Sequence, residues 1–144
     1  MSEQLFHVGI KALVRNEHGE ILLVGSRGSG SSARHLDLPG GRMEPNETFL
    51  QTLDRELLEE IGLSYIGEPK MLTTTLARIQ ILDPQGPRAL LLVIYAVTLA
   101  DGTMALGDEE EVSAWFSPSD AAEKLRFKYD ETFCTQIATL GEVR

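Results

Sequence analysis

A disulfide is out of reach for this chain, because its 144 residues include one cysteine, Cys134. That scarcity fits a reducing compartment. Cys134 shares an apolar helical pattern with Phe133, Ile137 and Leu140, which reads as core filling rather than as a nucleophile. Long hydrophobic runs are also missing. The longest, Ala89–Val97, falls well short of the ~20 residues a helix needs to cross a bilayer. The opening MSEQLFHVGI has neither the basic start nor the apolar core of a secretory signal. The expectation is a soluble, cytoplasmic protein without membrane contact. Basic residues are few: 13 Lys and Arg stand against 22 Asp and Glu, for a net charge of -9. Such a surface repels phosphate backbones, which excludes duplex nucleic acid as a partner. It would also repel an anionic substrate unless a cation intervened. Solenoid periods are absent. So is a heptad seam, and a homodimer is left open.

What is present is ordinary globular composition, 42% hydrophobic and 24% charged, which at this length predicts a single domain over residues 1–144. Val8, Ile10, Ala12 and Val14 alternate as in a strand. Asn16–Gly19 signals a turn, and Ile21–Val24 completes an expected hairpin. Gly25–Arg34, rich in Gly and Ser, reads as a loop. LDLP is a short strand leading into Gly40-Gly41. Thr48–Ile61 carries a helical pattern, with Asn46 or Glu47 as its cap and Gly62 as its stop. Strands follow at Met71–Leu82 and Ala89–Leu99 around the turn DPQGP, with a strand end at Ser113–Phe116. Helices are expected at Ser117–Leu125 and Asp130–Leu140. A mixed α/β (α+β) fold, with helices sandwiching a mixed central sheet, accommodates this order.

The helix at 48–61 is the informative segment. At 100° per residue Leu50, Leu53, Leu57 and Ile61 form one stripe, while Glu56, Glu59 and Glu60 group on roughly the opposite side. The leucines can pin the helix while the carboxylates face outward together. Like charges three and four apart repel by about 0.2–0.5 kcal/mol per pair, so a divalent cation is the natural complement. Oxygen donors suit Mg²⁺ or Mn²⁺, which keep waters and recruit phosphates. A second acidic run covers Asp108, Glu109, Glu110 and Glu111. Arg27, Arg34 and Arg42 could grip phosphates, and each is as readily an ordinary surface arginine. His7, His18 and His35 lack metal-ligand spacing. Phe6, Tyr65, Tyr95, Phe127 and Tyr129 fit core packing better than base stacking.

Spacing sharpens the reading. Gly41 is followed by Glu47 after five residues, then by Arg55-Glu56-Leu57 after seven more, then by Glu59-Glu60 and Gly62-Leu63. This arrangement over residues 41–63, with the preceding LPG of Leu38–Gly40, resembles the Nudix box G-x5-E-x7-R-E-U-x-E-E-x-G-U, where U is aliphatic. The resemblance implies an α/β/α sandwich and a hydrolase that cleaves nucleoside diphosphates linked to another moiety, by water attack on phosphorus. It implies that Glu56, Glu59, Glu60 and the Gly40 carbonyl hold Mg²⁺, with Mn²⁺ as a substitute. Arg55 and Glu47 match supporting positions. The general base varies across the family, and Glu110, with Glu109 and Glu111, is the loop candidate beside the box glutamates. The short chain leans toward a nucleoside triphosphate as the small-molecule partner. The alternative is a Nudix-fold nucleotide sensor without turnover, although such modules usually lose box carboxylates. Two positions depart from the family pattern: Leu36 stands where Trp is frequent, and Asn46 where Gly is.

Overall fold

The structure, a computed structural model, describes residues 3–25, 35–107 and 112–141. Its central strand, β1 (Phe6–Val14), is buried throughout its second half. A strand covered on both faces loses the inside-outside alternation of a half-buried one. β1 nevertheless divides its side chains by face, as strand geometry requires. Ile10, Ala12 and Val14 join one core cluster, and Leu13 joins the other.

β1 lies between β3 (Gly40–Arg42), antiparallel to it, and β5 (Gly86–Leu99), parallel to it. β4 (Tyr65–Asp83) closes the edge, giving a mixed four-stranded sheet of order β3-β1-β5-β4. β2 (Ile21–Gly25) pairs with β6 (Val112–Phe116) in a separate two-stranded sheet. This corrects the expected β1–β2 hairpin. The turn at Asn16–Gly19 is there, held by the Gly19 N–H on the Asn16 carbonyl at 3.0 Å. Beyond it only the Arg15–Ile21 bridge joins the two strands, because β3 and β5 already occupy both edges of β1. LDLP is likewise not a strand of its own: Asp37 makes one bridge to Val24, and β3 begins at Gly40.

Three helices complete the mixed α+β fold. α1 (Phe49–Ile61) packs Leu53, Leu57 and Ile61 onto the face of Ile10, Ala12, Leu22 and Val93. α2 (Pro118–Leu125) and α3 (Glu131–Ala138) cover the other face with Leu125, Phe133 and Ile137. Among the described residues no helix is long and apolar enough to cross a membrane.

α1 departs from its expected detail in three ways. Its cap is Thr48, in a reciprocal capping box with Gln51, rather than Asn46 or Glu47. Leu50, in the first turn, is 37% exposed while Thr52 is fully buried. The buried face is therefore turned toward Thr52, and Glu56 and Glu60 border the apolar stripe instead of opposing it.

Candidate active site

The LPGG turn and α1 meet at the β3 edge of the sheet. Gly40 has φ 135°, and a Cβ there would lie 2.0 Å from the Ile10 carbonyl oxygen. Only glycine lets the chain pass this close to β1. A Cβ on Gly41 would lie 2.4–2.6 Å from the Glu56 carboxylate, so the bare backbone admits that side chain. The Gly40 N–H donates to Glu60 Oε1 at 2.5 Å. One turn of helix apart, Glu56 and Glu60 thus both meet the Gly40–Gly41 backbone. Glu59 is turned outward, its side chain 59% exposed.

Arg55 organises these acids. Its Nε and Nη2 fork onto Glu47 at 2.7 and 2.9 Å. Its Nη1 donates to Glu56 Oε1 at 2.8 Å and to Glu59 Oε2 at 3.4 Å, and Nη2 also reaches the Arg42 carbonyl at 3.1 Å. A cationic nitrogen therefore stands between two of the three clustered carboxylates and relieves their repulsion. Glu47 also accepts from the Glu44 N–H at 2.7 Å and the Thr52 hydroxyl at 2.9 Å. The Arg55 hydrogen bonds, above all, hold its pKa down at about 2. Burial pushes Glu56 the other way, above the usual carboxylate range, against the pull of Arg55. Among the described residues no three His, Cys, Asp or Glu side chains form a ready-made ion cluster, because Arg55 engages Glu56 and Glu59 while Gly40 engages Glu60. The donor chemistry, carboxylates beside a turn carbonyl, fits a hard dication.

Behind the turn lies a network the sequence reading did not anticipate. Lys11, in the apolar run VGIKALV, is only 6% exposed. Its ammonium donates to the carbonyls of Leu38 at 3.3 Å and Gly40 at 3.2 Å, and pairs with Asp37 at 3.2 Å. Asp37 also receives Lys128 at 2.6 Å, the Tyr129 hydroxyl at 2.6 Å and the Leu38 N–H at 2.7 Å. Burial opposes the charge on Asp37, but Lys11 and Lys128 outweigh it and lower its pKa to about 2. For Lys11 too burial is outweighed, by Asp37, Glu60 and Glu56, and its pKa rises. A lysine inside an apolar strand and an aspartate before LPG were the available signals. Lys11, Lys128, Arg42 and Gly41 line a small cleft of about 200 Å³ against Leu90 and Leu92.

Of the other candidates, Arg27, Arg34, Glu109, Glu110 and Glu111 lie outside the described residues. The histidines do not gather: His7 bonds Asp83, His35 stacks on Phe127 and His18 pairs with Glu17. Tyr95 and Tyr129 are buried, whereas Phe6 is 41% exposed.

Comparison with known proteins gives a consistent picture. A family model described as NUDIX domain matches residues 5–136. An 8-oxo-dGTP diphosphatase of Escherichia coli is 38% identical over 52 residues, covering 36% of this chain and 40% of that protein. The protein of the same name from Haemophilus influenzae is 43% identical over 51 residues, covering 35% and 38%. The chain thus spans about two-fifths of the length of these relatives. Among solved structures, the MutT protein from Methanosarcina mazei Go1 superposes with a TM-score of 0.69 at 21% identity, covering 95% of this chain and 94% of that one. The E. coli ORF135 protein gives 0.61 at 26% identity, covering 83% and 79%.

Proposed function

Since this chain belongs to the Nudix hydrolase family, we propose that it hydrolyses a phosphoanhydride bond in a nucleoside diphosphate linked to another moiety, a (deoxy)nucleoside triphosphate first of all. The observation that carries this reading is the convergence of Glu56 and Glu60 on the Gly40–Gly41 backbone, with Arg55 holding Glu47, Glu56 and Glu59. The relatives named for 8-oxo-dGTP support a purine triphosphate, oxidised or not, as the first compound to try.

Glu56, Glu59, Glu60 and the Gly40 carbonyl would hold Mg²⁺, and Mn²⁺ would serve in its place. When bound, the cation supplies charge neutralisation at the phosphates and a more acidic water. The protein's own part is positional. Arg55 fixes Glu56 at the mouth of the glycine turn, and Glu47 fixes Arg55. Glu47 stays ionised under any physiological condition, which keeps the guanidinium in place. The general base is one of the box glutamates or Glu110.

The test is product analysis over a panel of nucleoside triphosphates, 8-oxo-dGTP and nucleotide sugars, with Mg²⁺ or with EDTA. We expect monophosphate and pyrophosphate from at least one triphosphate, abolished by EDTA. Glu60→Gln should lower turnover by ~10²–10⁴-fold with the melting temperature nearly unchanged. Tight nucleotide binding without any product would replace this reading with that of a sensor.

A further inference from the structure

Lys11 enters the turn from the sheet face opposite α1. By strand alternation its side chain shares a face with Leu13, which packs with Tyr129 and Phe133, while Ile10 and Ala12 face α1. The carbonyls of Leu38, Pro39 and Gly40 are then all held by two consecutive residues of β1. Lys11 Nζ takes the first and third, and the Ala12 N–H takes the second at 2.8 Å. From the α1 side, Glu60 takes the Gly40 N–H. Gly40 is thereby gripped by an ammonium on its carbonyl and a carboxylate on its amide.

Asp37 has partners besides Lys11. Lys128 already pairs with Asp37 at 2.6 Å, and Tyr129 and the Leu38 N–H occupy its other oxygen. What Lys11 alone contributes is donation to the Leu38 and Gly40 carbonyls, which uses two of its three N–H bonds and leaves the third for Asp37. We infer that Lys11 is a positioning residue: its ammonium aims the Gly40 carbonyl, and so completes the divalent-cation site from behind the sheet. This inference rests on the metal-dependent reading above.

Electrostatics and positioning predict opposite signs. Removing a nearby positive charge should, by Coulomb's law alone, tighten binding of a cation. Removing the group that aims a ligand should weaken it. Lys11→Met and Lys128→Met each delete one positive charge, and each leaves Asp37 with one lysine. Mn²⁺ affinity of the free protein, read by electron paramagnetic resonance without nucleotide, separates the two effects. We expect Lys11→Met to weaken Mn²⁺ binding at least tenfold, and Lys128→Met to leave it within threefold or tighten it. Equal or tighter binding in Lys11→Met overturns the inference, as does equal weakening in both variants.

Should Lys11→Met fail to fold, the wild-type protein provides the test. With labelled lysine, glycine and glutamate, a Mg²⁺ titration should shift the Gly40 carbonyl carbon and the Lys11 Nζ together, leaving Lys128 Nζ nearly still. A Gly40 carbonyl that ignores Mg²⁺ while the Glu56 and Glu60 carboxyl signals respond overturns the inference and spares the family mechanism. Wild-type protein that takes up no Mn²⁺ and cleaves no nucleotide instead defeats that mechanism itself.

Discussion

Asn46 is the only non-glycine residue with positive φ among the described residues, at 69°. Most L-residues lose about 1–2 kcal/mol in that conformation, and asparagine is among the few that visit it readily. Its positive φ is a conformation that glycine adopts freely, so glycine would allow the same backbone shape here. The turn matters because the next residue is Glu47, whose carboxylate must reach both the Glu44 N–H and Arg55. Asn46→Ala should therefore destabilise the protein by about 1 kcal/mol, read as a lower urea midpoint. Asn46→Gly should be within about 0.5 kcal/mol of wild type, since glycine gains conformational ease and loses chain entropy. An alanine variant as stable as wild type would show that the turn relaxes without cost.

Helix α1 shows what can be read from local pattern and what cannot. Its existence and stop follow from the leucine spacing and from Gly62, and the structure agrees: Leu53, Leu57 and Ile61 are fully buried, and Gly62 is the C-cap. The cap is a different matter. Asn46, Glu47 and Thr48 are all chemically able to cap, and the choice is made by tertiary contact, because Glu47 is committed to Arg55 and Thr52. Thr48 accepts from the Gln51 N–H at 3.1 Å, and Gln51 returns the bond at 2.9 Å. Thr48→Ala should cost about 1 kcal/mol of stability and leave turnover nearly intact, since the acid-bearing turns lie farther along; a large loss of activity at unchanged stability would contradict this. Pairing partners were also illegible locally. β2 carries the pattern of a hairpin strand, yet its ladder is with β6, some ninety residues away. The Lys11–Asp37–Lys128–Tyr129 network escaped for the same reason: its members come from β1, from the approach to β3 and from the α2–α3 connection, and no spacing rule joins them.

For the molecule as a whole, that network couples folding to pH. The Asp37 carboxylate is held at about 2 in the fold, against 3.8 for an unperturbed aspartate, with Lys11 and Lys128 overcoming the opposing effect of burial. A depressed carboxylate stabilises the folded state above its unfolded pKa and loses that contribution as pH falls toward its folded value. The difference corresponds to about 2 kcal/mol, present above pH ~4 and lost on approach to pH ~2. Glu47, lowered to about 2 chiefly by its Arg55 hydrogen bonds, works in the same window and the same direction. Glu56 works against both. Burial raises its pKa, so folding binds a proton there more readily than the open chain does, and acid relieves that cost. Asp83, lowered chiefly by the Gln85 N–H, adds in the same direction, so the net slope is set by three depressed carboxylates against the raised Glu56. Urea titrations at pH 5, 4, 3 and 2 should show stability falling by about 2 kcal/mol or more across the series, and carboxyl-carbon resonances should place the Asp37 midpoint below 3. A midpoint near 4 would mean that the two lysines only offset the cost of burying Asp37, and that it adds nothing to the acid dependence of stability.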